Sequence, residues 1–193
     1  MAKLIAAFVE DFAHRQVIGA LIRRLATESG IEVRIDWRNA RRGHGQVVKE
    51  TKEYLHDIVR QGPLPDLIVI GTDANCKGLA ERSREIPAGE SPVPMVLAIP
   101  DPHVERWLLL DGAAFKAALG QGCRAPDQKC ARDRYKETLI RAVMAAGVVP
   151  SLGGIEFADD ILAAMDLERA AKADPSLRRF LDDLRQALRQ NGP

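Results

Sequence analysis

Apolar positions along the first hundred residues follow two alternating rhythms. "KLIAAFVE" (3–10) is a short, unbroken apolar run that ends in an acid. "RQVIGALIRRLATESG" (15–30) instead places Val17, Ile18, Leu21, Ile22 and Leu25 on one face of a helix and stops at Gly30. "IEVRIDW" (31–37) alternates apolar and polar residues, as a strand with one covered face does. Helical spacing returns in "GQVVKETKEYLHDIVRQG" (45–62), through Val48, Tyr54, Leu55 and Ile58, and Gly62 with Pro63 ends it. "DLIVIGTD" (66–73) predicts a buried strand, and after a short polar helix "VPMVLAIP" (93–100) predicts a fourth.

Strands that alternate with helices imply crossover connections and a largely parallel sheet. From about residue 103 the pattern is helical: "HVERWLLLDGAAFKAAL", "CARDRYKETLIRAVMAAG", "FADDILAAMDLERAAKA" and "DPSLRRFLDDLRQALRQ". We therefore expect an α/β core over residues 1–110, with a helical extension over 111–193 packed on it as one compact unit.

Composition changes this picture little. The 193 residues are 46% hydrophobic and 28% charged, which is ordinary for a folded domain and not for disorder. A net charge of +1 means that any nucleic-acid site must be a local patch. The three cysteines, Cys76, Cys123 and Cys130, are too few and too oddly numbered for a disulfide framework. They are expected as structural thiols in a reducing compartment. Zinc is the weaker alternative, since there is no CxxC and no spaced histidine pair. The N-terminal apolar run meets Glu10 too early to span a bilayer or to serve as a signal peptide, so a cytoplasmic protein is expected.

Ligands of parallel sheets gather at the carboxyl ends of the strands. Glu10 ends the first strand, and Asp73 and Asn75 follow the third, two positions apart. Glu105 enters after the fourth strand. Oxygen donors around a partly open site suit Mg2+ or Mn2+, which keep several waters and bind substrate phosphates. Strand-end acids are also common simply because loops begin there, and Glu105 in a first helical turn complements the helix dipole. Arg38, Arg41, Arg42 and His44 lie on the loop after the second strand, where arginines can clamp phosphates, although a solvated glycine-containing loop has the same composition. His14, His56 and His103 have no motif around them; His14 begins the first helix and could touch substrate, although an ordinary surface histidine is the default reading. Lys129, Arg132 and Lys136 could bring a cation to the site; helix-surface charge is the default for each. There is no GxxxxGK[ST] and hence no phosphate loop of that kind.

The ordered set "FVEDFAHRQVIGALIRRL", "LIVIGTDAN", "RRGHGQV" and "AIPDPHVERWLLLD", with the closing "DPSLRRFLDDLR", resembles the TOPRIM domain of topoisomerases, primases and nucleases. Together these elements are similar to the small standalone TOPRIM proteins of phage-defence loci. That group is related to the overcoming-lysogenization-defect nucleases and includes the effector nuclease of the PARIS system. The resemblance implies a TOPRIM-like Rossmannoid sheet of about four parallel strands flanked by helices. It also implies a Mg2+-dependent (or Mn2+-dependent) nuclease acting on DNA or RNA, with a separate ATPase subunit as a possible partner. By the same resemblance, Glu10, Asp73 and Glu105 are the catalytic acids, and these three with Asn75 are the metal ligands. Asn75 stands where the family has the second aspartate of its DxD element, which lowers the expected metal affinity. Two other readings remain open at this point: a non-catalytic TOPRIM-shaped interaction protein, and a small-molecule phosphohydrolase.

Overall fold

The computed structural model describes residues 2–39, 43–61 and 63–190. Gly62 and the two loop arginines Arg41 and Arg42 lie outside the described residues. Strands β1 (Lys3–Val9), β2 (Val33–Asn39), β3 (Leu67–Gly71) and β4 (Met95–Ala98) form one parallel sheet in the order β2-β1-β3-β4. Ile5 lies between Ile35 and Leu67, and Ile70 lies beside Leu97. Helices α1 (Phe12–Glu28), α2 (His44–Gln61) and the short α3 (Leu79–Arg84) make the crossovers.

Both faces of the sheet are covered, which explains why β1 and β3 are continuous apolar runs and do not alternate. One face (Ile5, Ala7, Val9, Leu67, Val69, Val96, Ala98) packs against α1 and the later helices. The opposite face (Ala6, Phe8, Ile68, Ile70, Leu97) packs against Val47, Leu55 and Ile58 of α2. Burying a Leu- or Ile-sized side chain contributes about 1.5–3 kcal/mol, so this alternation fixes the register firmly.

The later helices are α4 (Glu105–Leu108), α5 (Gly112–Leu119), α6 (Arg134–Ala145), α7 (Ala158–Ala164), α8 (Leu167–Ala173) and α9 (Pro175–Arg189). Two segments that read as continuous in the sequence are broken by aspartate caps. Asp111 accepts the Ala113 and Ala114 N–H groups and starts α5, and Asp166 accepts the Arg169 N–H and starts α8. Helix α9 packs along β4. At its start, the Ser176 hydroxyl accepts the Trp107 indole N–H and the Asp101 N–H, each at 3.1 Å, and donates to Asp174. Asp174 is also paired with buried Arg106. The stretch 101–107 is thus pinned from behind by the beginning of α9.

Gly71, the last residue of β3, is required for space. A methyl group there would meet the tip of the Ile18 side chain of α1 and the Val9 side chain, so Ile18 packs directly on the β3 backbone.

Cys76 and Cys130, expected as thiols, are instead joined in a disulfide, with their Cα atoms 5.5 Å apart. They lie 54 positions apart in sequence, and only the fold brings the turn after β3 beside the irregular segment that precedes α6. Cys123 remains a thiol, half-buried, and burial pushes its pKa up to about 11. No helix among the described residues is long and apolar enough to cross a membrane.

Candidate functional site at the strand ends

The carboxyl ends of β1, β3 and β4 open onto a pocket of about 310 Å3 lined by Asp11, Asp73, Asn75, His103, Glu105, Arg132, Asp133, Tyr135 and Lys136. Asp73 is at its centre. Its Oδ1 accepts the Val104 N–H (2.9 Å) and faces His14 Nε2 (3.1 Å), while its Oδ2 faces His103 Nδ1 (3.1 Å). Burial would raise the Asp73 pKa, but the His14 charge and the histidine hydrogen bonds outweigh it and bring it down to about 2.

His14 is buried, not on the surface as its sequence context suggested. Its Nδ1 lies 2.8 Å from Asp11 Oδ1, and Asp11 also caps α1 by accepting the His14 N–H. Each ring nitrogen meets a carboxylate oxygen, so both must carry a proton for the two contacts to be attractive. Burial opposes the charged ring. The Asp73 charge and the Asp11 hydrogen bond prevail, and the pKa is raised well above the usual histidine value. His14 therefore acts as a fixed positive charge behind Asp73. His103, held by the same carboxylate, is also shifted upward, chiefly by that hydrogen bond.

Glu105 begins α4 and shares the pocket with Asp73. Burial first, and the neighbouring Asp73 charge second, raise its pKa. It has no ion-pair partner among the described residues. Asn75 sits in the left-handed backbone region (φ 52°), which asparagine tolerates better than most residues. Its N–H is fixed by the Pro102 carbonyl.

Glu10 lies immediately beside this group without lining the pocket. Its Oε2 accepts the Thr72 hydroxyl (2.8 Å) and the Asp73 N–H (3.3 Å). The carboxylate that β1 presents to the pocket is that of the next residue, Asp11. His44 turns inward, with Nδ1 3.1 Å from the same Thr72 hydroxyl and Nε2 2.8 Å from Glu85. Burial, and then the Arg82 charge, lower its pKa. Arg38 lies away from the pocket on the exposed face of β2, over the Tyr54 ring at 4.6 Å and bonded to Asp36. Of the three C-terminal cations considered, Arg132 and Lys136 reach the pocket. Asp11 was not expected at the site, His103 had no motif to mark it, and His14 was weighed only as a substrate contact or a surface histidine. The one available signal was Asp11 three positions before His14 at a helix start, a capping pattern.

Among the described residues, no three His, Cys, Asp or Glu side chains are grouped to hold a metal ion as they stand. In kind, the donors fit a hard divalent cation. Asp73, Glu105 and Asn75 each carry a side-chain oxygen, those of Asp73 being shared with His14, His103 and the Val104 N–H, and a cation would relieve the repulsion that contributes to raising Glu105. No family model, curated protein or solved structure matches the chain significantly.

Proposed function

We propose that this protein is a metal-dependent nuclease of TOPRIM type, with Asp73, Glu105 and Asn75 holding Mg2+ or Mn2+. The observation that carries this reading is the shared pocket. Asp73 and Glu105, from successive strand ends, are crowded together, and Arg132 and Lys136 line the same pocket along with Asp133. A pocket that holds both acids and bases suits a phosphodiester, whose oxygens need both a cation and basic side chains. When bound, the cation would activate water and neutralise developing charge. Asp73 is kept ionised and oriented by His14 and the Val104 N–H. Arg132 and Lys136 bind phosphate oxygens, and His103, which lines the pocket, passes a proton to a leaving oxygen. Glu10, next to the Asp73 backbone, serves as a proton acceptor or donor at the edge of the site. An ATPase partner and a role in phage defence follow from the resemblance alone.

The test is incubation of purified protein with plasmid, single-stranded DNA and tRNA in Mg2+, Mn2+ or EDTA. Cleavage should require the metal and disappear in Asp73→Asn and Glu105→Gln, with Glu10→Ala as a control against contaminating nuclease. Metal-independent cleavage, or cleavage retained by Asp73→Asn, would refute the reading. The pocket volume favours a second reading, a phosphohydrolase of small esters, which predicts turnover of mononucleotides while every polymer is left intact.

A further inference from the structure

We propose that the site takes a single terminal nucleotide of a nucleic-acid chain and not an internal stretch of polymer. This rests on the nuclease reading and adds to it the class of substrate.

One wall of the pocket is formed where an irregular segment ends at Arg132 and Asp133. Residues 121–133 contain no helix or strand, yet they are braced at several points. Cys130 is bonded to Cys76, next to Asn75 on the pocket floor. The backbone at Cys123 packs so closely on Gly112 that no side chain would fit between them. The Tyr135 hydroxyl lies against the Asp127 carbonyl (2.9 Å) and accepts the Lys129 N–H (2.7 Å), and Arg134 is paired with Asp127. The Tyr135 ring is buried and leans on His103, with centroids 6.0 Å apart, so wall and floor support each other.

A wall braced in this way has little slack to widen the pocket, and 310 Å3 lies at the lower end of the range for small-ligand sites. That is room for about one nucleotide. Within that small space Asp11, Asp73, Glu105 and Asp133 are joined by Arg132 and Lys136, a mixed lining that can meet one phosphate through a cation and basic side chains. Stacking surface is equally sparse. Phe12, adjacent in sequence to pocket-lining Asp11 at the start of α1, is the only exposed Phe, Tyr or Trp ring among the described residues. A track for several bases requires several such platforms, whereas one ring serves one base.

The experiment compares a linear single-stranded oligonucleotide with the same sequence ligated into a circle, as DNA and as RNA, in Mn2+. We expect the linear form to shorten from an end with release of mononucleotides, while the circle stays intact. Phe12→Ala, at an exposed position, should fold normally and raise KM for the linear form about tenfold. The pair Arg132→Ala and Lys136→Ala together should raise it by a similar factor. Cleavage of the circle at the rate of the linear form would overturn the terminal-nucleotide proposal and leave the nuclease reading standing. If no polymer is cut, whether or not p-nitrophenyl phosphate or mononucleotides are turned over, the nuclease reading fails and takes this proposal with it.

Discussion

Ser176→Ala removes one oxygen atom but strands two donors. The hydroxyl accepts the Trp107 Nε1–H and the Asp101 N–H, each at 3.1 Å, and donates to Asp174. Trp107 is completely buried, so no water can replace its lost acceptor. Leaving such a donor unpaired costs about 1–3 kcal/mol, and the partly buried Asp101 N–H adds about 1 more. Asp174 retains the Leu177 N–H and Arg106, so its own loss is small. The expected destabilisation is about 2–4 kcal/mol in urea unfolding with an unchanged m-value, or about 5–15 °C in Tm for a chain of this size. Trp107→Phe isolates the larger part, because it deletes the indole N–H while keeping an aromatic ring. In that background Ser176→Ala should cost about 1–2 kcal/mol less than in the native protein, a coupling read from the double-mutant cycle. Additivity within about 0.3 kcal/mol, or a Ser176→Ala variant as stable as the native protein, would refute this account of the hinge behind the site.

Three further outcomes are expected. Glu105→Gln removes a carboxylate raised by burial and by the Asp73 charge, so the variant should be at least as stable as the native protein while its Mn2+ affinity, measured by calorimetry, falls about tenfold or more; lower stability would contradict the crowding argument. The Asp111 carboxyl is buried, and although burial would raise its pKa, the Asp166, Ala113 and Ala114 N–H groups and Arg169 hold it below the usual value. Its stabilising effect is therefore present above about pH 4 and is lost as pH falls through its folded-state pKa, so the gap in Tm between native protein and Asp111→Asn should close on acidification below that point; a constant gap would argue against it. The double variant Cys76→Ser/Cys130→Ser opens a closed loop spanning 54 positions and should cost about 4 kcal/mol through the denatured state. It should also speed amide exchange in residues 121–133 and allow circular oligonucleotides to be cut; unchanged exchange there would refute the bracing role.

How much of this was legible in the sequence varies with how local the cause is. Buried parallel strands announce themselves as continuous apolar runs, and β1, β3 and β4 fall within the segments so marked. The breaks at Asp111 and Asp166 were missed because apolar spacing continues through them, and only the aspartate caps interrupt the hydrogen-bond ladder. At the site, Asp73, Asn75 and Glu105 could be placed from strand ends alone. The exchange between Glu10 and Asp11 could not, since neighbouring residues at a strand end point to different sides and the chain bends there into a helix. His14 and His103 carry no pattern of their own, and their roles come from a carboxylate 59 and 30 positions away in sequence. A disulfide between Cys76 and Cys130 is a product of the tertiary path and leaves no trace in spacing.

The close approach at Gly71 has a consequence for the chemistry. His14 lies one helical turn before Ile18, and Asp73 lies two residues beyond Gly71, so the contact at the glycine sets how far the imidazole reaches toward the carboxylate. A methyl group at position 71 would press on the tips of the Ile18 and Val9 side chains, and any part of that crowding passed on to α1 would lengthen the reach. The missing side chain at position 71 thus serves as a depth gauge, and tuning the apolar interior there would retune the ionic pair outside it.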